Sequence, residues 1–424
     1  MTLKLALLSV MLLLAVVAVP GTGTAQNPIS ATSSAEVHFP NEITFNLRAE
    51  SPAPINQAFL NYRIDSIATV EATAVVDLDF NPAPVVVTSW TWEMKKMLGS
   101  LPPGTGIRYN WLIRDASGNR LETAWQNVEF NDDDHPWREA VGDNVTLYWY
   151  EGDVAFGETL LAVAEDALDT LAHDTGAELQ EDVKVYAYAS TEDLHNAMLF
   201  PQEWMGGAAF PDYGTLAIEA EPRYLPSAQR DLAHEMAHLV TYQMTFNPYG
   251  GIPTWLDEGL SMYAEGYPSS SFQTALSSAV ADDTLLSVET VSSSFPADFD
   301  QARLSYAESY SLVSFLIQQH GRDKMLDLLN TFKQGATYDG ALLQVYGVDT
   351  AGLGNQWRAS LGLGPQPSPA PPQTTSTPTA PHFGCQIGAQ EPGPISPVAW
   401  AALVLLLMPP TALAIRFRTR RGRK

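Results

Sequence analysis

The sequence predicts a multidomain chain: an N-terminal antiparallel β-sandwich, an α+β and mostly helical second domain, and a single C-terminal transmembrane helix. Three observations carry this reading. Short runs of β-forming residues, punctuated by turn residues, fill positions 35–132; a His-Glu-x-x-His pattern sits in a helically periodic stretch at 232–240; and an apolar run closed by arginines ends the chain. The boundaries that follow are a signal peptide at 1–25, a β-sandwich at 26–138, the second domain at 139–363, a linker at 364–396, the span at 397–415 and a basic tail at 416–424.

At the amino terminus Lys4 is followed by an apolar run from Leu5 to Val19, broken only by Ser9, and then by Gly21-Thr22-Gly23-Thr24-Ala25. Basic, apolar and small residues in that order read as a secretory signal cut near Ala25, and the apolar run is short for a membrane span. The mature chain is therefore expected outside the cell.

A chain of 424 residues, 45% of them hydrophobic, can bury more than one core. Six of its 23 basic residues lie beyond Ile415 and Lys4 lies in the leader, so the exported part sets 16 basic residues against 48 acidic ones, a balance of about −32. Such a surface repels phosphate backbones and anionic lipid, which excludes nucleic acid as a partner. The single cysteine, Cys385, can form neither an internal disulfide nor a thiolate metal cluster.

Strands are expected at Ile43–Arg48, Phe59–Ile64, Ala72–Asp79, Val85–Trp92, Ile107–Asp115 and Trp125–Phe130, with turns at Pro103-Gly104 and Asp115–Asn119. Alternation of this kind suits an antiparallel sandwich, similar in pattern to immunoglobulin or fibronectin type III modules. The run Asp132-Asp133-Asp134-His135 has the residue types of a calcium site but reads as a solvated acidic connector. A helix at about Phe156–Asp174 and a strand at Val183–Tyr188 open an α+β unit. The segments Gly206–Phe210 and Gly214–Ile218 precede the His-Glu-x-x-His stretch, and residues 269–361 look mostly helical.

In Leu232-Ala233-His234-Glu235-Met236-Ala237-His238-Leu239-Val240, one helical turn separates the two histidines, so both imidazoles can reach one metal ion. Ser227 after Pro226 is the expected cap. Leu232, Met236, Leu239, Val240 and Met244 form an apolar side, leaving His234, Glu235 and His238 on the other. Glu235 points about 100° round the helix from His234, a direction better suited to a water molecule than to the metal. A catalytic zinc usually takes three protein ligands, and downstream runs Pro253-Thr254-Trp255-Leu256-Asp257-Glu258-Gly259-Leu260, with Pro253 suited to the start of a second helix.

On these residues the chain resembles the gluzincins, the thermolysin-like zinc metallopeptidases, and most of all their peptidase MA-like group. The likeness spans about 145–360 and is concentrated in 230–266. It implies a zincin-like catalytic domain in which His234, His238 and Glu258 hold Zn2+ and Glu235 is the general base. A zinc-bound water has a pKa near 7, within reach of such a base. It also implies an exposed edge strand to which an extended substrate adds, at Gly206–Phe210 or at Thr215–Ile218. Leu304–Leu316 resembles the family segment that returns to the cleft; Tyr306 first, and Tyr310 second, are the candidates to donate a hydrogen bond to the oxyanion, the alternative being core packing.

Two departures matter. Met262 stands where thermolysin has an aspartate that orients a zinc histidine, so Asp231 and Asp257 become the candidates for that service. The Gly-x-Met-Glu-Asn pattern of zinc aminopeptidases is absent, which favours an endopeptidase.

Beyond Leu363 a Pro, Ser, Thr and Gln-rich stretch reads as a tether. Pro397–Ile415 can cross a bilayer, and Arg416–Lys424 places the carboxyl terminus in the cytoplasm. Gly384-Cys385 loosely resembles a bacterial sorting tail, in which case the anchor is cut and replaced. The expectation is a zinc metalloendopeptidase of peptide or protein substrates, single-pass at the cell membrane with its catalytic domain outside, on a bacterial surface since exported disulfides are lacking. The rival is a non-catalytic surface binding or scaffold protein that keeps the fold, and a third reading, purely structural zinc, calls for four protein ligands. Oligomeric state has no signature here.

Overall fold

The computed structural model describes residues 27–66, 72–97, 101–199 and 206–365. The expected leader, membrane span and basic tail, Cys385 and nearly all of the proline-rich stretch lie outside these. No helix among the described residues is long and apolar enough to cross a membrane.

The amino-terminal part is β-rich, with β1 (Ser30–His38), β2 (Glu42–Ile64), β3 (Ala74–Asp77), β4 (Ala83–Glu93), β5 (Thr105–Asp115), β6 (Arg120–Glu122) and β7 (Gln126–Phe130). All pairings are antiparallel and join one seven-stranded sheet. Two expected strands, Ile43–Arg48 and Phe59–Ile64, are one strand. The first half of β2 pairs with β1 and β4, the second half with β3 and β5, and the register shifts between Glu50 and Gln57. Hence the expected sandwich of separate sheets is corrected: through β2 the strands join into one sheet. Alternate residues of β2, among them Ile43, Phe45, Leu47 and Ala49, point into a core that also takes Trp111 and Ile113 of β5.

A second sheet follows, built from β8 (Arg138–Val141), β9 (Val145–Trp149), β10 (Val183–Tyr188), β11 (Gly207–Phe210) and β12 (Thr215–Glu219) in the order β11-β12-β10-β9-β8. Its three central strands are parallel, and β11 and β8 are antiparallel edges. The helices are α1 (Val154–Thr175), α2 (Thr191–Asn196), α3 (Leu225–Thr245), α4 (Thr254–Ala264), α5 (Ser270–Asp282), α6 (Val288–Val291), α7 (Phe299–His320), α8 (Arg322–Lys333), α9 (Tyr338–Tyr346) and α10 (Thr350–Ser360). Asp153 caps α1 by accepting from the amide of Phe156.

Helix α3 lies between two cores. Leu232, Met236 and Leu239 pack with α1 on one face of the second sheet, while Ala237, Val240 and Met244 join α4, α7 and α8. Fully burying a Leu, Val or Met side chain is worth about 1.5–3 kcal/mol, so this packing outweighs the modest helix propensity of the histidines between them. The expectation of one core face and one open face is corrected: both flanks are core, and only a narrow stripe carrying His234, Glu235 and His238 faces the cleft. The expected cap is corrected too. The helix begins at Leu225, with Pro226 in its first turn and Ser227 inside it.

The other face of the second sheet presents Tyr186, Tyr188 and Ala217 to Trp137 and Phe39. Asp132 is buried here, accepting from the Tyr188 hydroxyl at 3.0 Å and the Asp134 amide at 3.1 Å, while His135 stacks on Tyr150 with ring centroids 4.1 Å apart. Of the acidic run, then, Asp132 is a structural anchor and not a solvated connector residue.

Candidate metal centre

Pro253 stands just before α4 and starts it, and the helix carries Glu258 towards the cleft stripe of α3. One ligand atom from each of His234, His238 and Glu258 falls within 4.8 Å of the others, and all three residues are buried. His234 Nε2 lies 3.3 Å from Glu258 Oε2, and His238 Nε2 lies 3.8 Å from the same oxygen. None of these three atoms has a hydrogen-bond partner among the described residues. Buried polar atoms left so, converging from three side chains, are costly unless something binds them together.

The far sides of the imidazoles are committed. His234 Nδ1 is 2.6 Å from Glu265 Oε1, and His238 Nδ1 is 3.1 Å from Asp257 Oδ1 and 3.2 Å from Ser261 Oγ. A carboxylate on Nδ1 keeps the proton there and turns the Nε2 lone pair inward, which is how a protein prepares a histidine for a metal. Two inward imidazole nitrogens and one carboxylate oxygen form a donor set that fits zinc.

Electrostatics agree. Burial alone pushes the His234 imidazole down, but the adjoining Glu258 and Glu265 carboxylates outweigh it and hold its pKa well above the ordinary range. His238 is raised in the same way, with Asp257 as the main source. A pocket that attracts positive charge this strongly on two histidines is one a dication can occupy.

Glu235 is fully buried, and neither carboxylate oxygen has a hydrogen-bond partner among the described residues. Burial raises its pKa while the two histidines work against that rise. Across the cleft from it lies β11: a Cβ built on Gly207 would be 3.3 Å from Glu235 Cγ, so the missing side chain lets the strand approach.

Of the two tyrosines, Tyr306 faces the centre. Its ring centroid is 6.5 Å from that of His234, it is 8% exposed, and burial together with the nearby carboxylates keeps its phenol protonated. Tyr310, one turn on, stacks on Tyr263 at 6.3 Å instead of on a histidine. Asp231 bonds to neither histidine; desolvation pushes its carboxyl up to about 7. Sequence reasoning missed Glu265 and Ser261, although both lie on the α4 face of Glu258, at helical spacing from it or from Asp257. Of the two edge-strand candidates, β11 is an edge and β12 is interior.

A family model described as Peptidase MA superfamily matches residues 163–362. No curated protein matches the chain. Among solved structures, the M1 zinc metallopeptidase from Deinococcus radiodurans is similar at 14% identity over 82% of this chain and 97% of its own, with a TM-score of 0.34. A polysaccharide deacetylase from Bacillus cereus is similar at 8% identity over 40% and 53%, with a TM-score of 0.19. Likenesses that loose decide nothing. The family match and the converging triad support more: over residues 163–362 the chain is similar to the peptidase MA superfamily, and its His-His-Glu cluster is that of a gluzincin-like zinc peptidase.

Proposed function

We propose that the protein is a zinc endopeptidase. His234, His238 and Glu258 would hold the ion, which when bound supplies Lewis acidity that polarises a peptide carbonyl and acidifies water. Glu235 accepts the proton of the attacking water and returns it to the leaving amine; among the described residues its buried carboxylate has no hydrogen-bond partner to compete for that proton. The Tyr306 phenol donates to the oxygen that gains charge. An extended substrate adds to β11, an edge strand among the described residues, with Gly207 letting it lie close to Glu235. The absence of a Gly-x-Met-Glu-Asn pattern supports internal cleavage over removal of an amino-terminal residue.

The leader-like and span-like segments support export and tethering, with the catalytic part outside. The single observation that carries the enzymatic reading is the unpartnered Glu235 carboxylate beside three converging ligand atoms, since a binding module has no use for it. The zinc-loaded chain should cleave members of a peptide library, and Glu235→Gln should keep zinc but lose at least about 10²-fold in rate. Zinc bound by the wild type with no peptide cleaved would leave the binding-module reading in place.

A further inference from the structure

Strand β11 is four residues long, and its ladder to β12 runs only from Gly207↔Ile218 to Phe210↔Thr215. So short an edge strand depends on its flanks for its position. Both flanks rest on the amino-terminal unit. Leu199, before the strand, and Tyr213, just after it, pack against the core of the β1–β7 sheet. Between them and the zinc helix, Asp212 makes a junction. Its carbonyl accepts from the Ser66 hydroxyl of the amino-terminal unit at 2.8 Å, and its carboxylate accepts from the hydroxyl of Tyr242, one turn past His238 on α3. The same face is pinned again where Lys184 of β10 donates to the Gly104 carbonyl at 2.7 Å and meets Glu129 at 2.6 Å.

From this juxtaposition we infer that the amino-terminal β-rich unit is a working part of the cleft: through the one-turn segment Pro211–Tyr213 it fixes the gap between β11 and α3. Ser66, Asp212, Tyr213 and Tyr242 are positioning residues, acting through the strand and not on the substrate. The tolerance is narrow, because a Cβ at Gly207 would already press on Glu235, and a misplacement of about 1 Å can cost about 10²-fold in rate. The inference rests on the proposed addition of substrate to β11 and gives the amino-terminal unit a role that its fold alone does not suggest.

The test uses the full zinc-loaded chain, the double variant Ser66→Ala/Tyr213→Ala and, as a variant that removes one hydroxyl and little packing, Tyr242→Phe. Zinc content and melting temperature should be unchanged in Tyr242→Phe. Amide exchange at 207–210 should speed up about tenfold in both variants, with that of 236–241 unaltered. KM for a peptide of about eight residues, long enough at about 3.3 Å per residue to span β11, should rise several-fold more than KM for a dipeptide reporter. Unchanged exchange at 207–210 in both variants overturns the inference whatever the activity, as does an equal change in KM for long and short substrates. If the wild type cleaves neither substrate, the peptidase reading falls, and faster exchange at 207–210 still upholds the positioning role.

Discussion

Glu265 Oε1 stands 2.6 Å from Nδ1 of His234, two turns beyond Glu258 on the same helix face, with Arg230 Nε 3.8 Å from its other oxygen. One helix thus supplies both a candidate ligand and the group that orients a different candidate ligand. Removing an orienting partner of this kind typically costs about 10–100-fold in metal affinity. Glu265→Ala should therefore weaken zinc binding by that order in a chelator competition, and Glu265→Gln should recover part of it, since an amide oxygen can still accept from Nδ1–H. Equal affinities in all three proteins would remove Glu265 from the centre.

The approach of α4 to α7 is set at Gly259. A Cβ there would sit 2.5 Å from the Ser309 carbonyl oxygen and 2.6 Å from Val313 Cγ2. A backbone oxygen cannot swing aside, so Gly259→Ala must separate the two helices and shift Glu258, the preceding residue. Overpacking of this kind costs about 1–3 kcal/mol. The expected result is a melting temperature lower by several degrees together with weaker zinc retention. Gly250→Ala, where a Cβ would meet nothing within 4 Å, should change neither.

The contrast between Asp257 and Glu265 shows which parts of the centre the sequence could reveal. The convergence of His234, His238 and Glu258 is legible because helical turns fix their geometry, and Asp257 is a candidate because it adjoins Glu258. Glu265 escaped because the family pattern looks four residues past Glu258, where Met262 stands, while the longer glutamate side chain serves from seven residues on. In the amino-terminal part alternation located the strands but not their continuity. Ser51-Pro52-Ala53-Pro54 reads as a break, yet β2 runs through it; proline, lacking an N–H, is tolerated where the register shifts and the ladder to β4 lapses. The burial of Asp132 is not legible for a different reason: its partner, Tyr188, lies far along the chain.

Glu308 makes stability depend on pH. It is fully buried, accepts from the Leu286 amide at 2.9 Å, and desolvation pushes its carboxyl up to about 8 from the model-peptide value of 4.5. Between those values the folded chain keeps a proton that the unfolded chain has released, so stability falls as pH rises through that window and levels off above it. The slope is at most about 1.4 kcal/mol per pH unit. Glu308→Gln should melt close to the wild type near pH 4.5 and several degrees above it at pH 8. A constant difference between the two proteins across this range would contradict the assignment.

Removing the metal should be felt throughout the second domain. With the ion gone, His234 Nε2, His238 Nε2 and Glu258 Oε2 are buried with no hydrogen-bond partner among the described residues, and α3 and α4 lose the link that the ion would make between them. A ligand that binds only the folded state stabilises it by about 4 kcal/mol when present at a thousand times its Kd. Chelation should accordingly lower the melting temperature, and zinc added back should restore it. The variant Glu258→Ala should lose that response, because two histidines on one helix leave the set a ligand short. Glu235→Gln should keep it in full, since Glu235 is not among the three converging candidate ligands. A zinc-dependent shift that survives in Glu258→Ala at equal size would place the ion elsewhere and sever the link between the triad and the proposed chemistry.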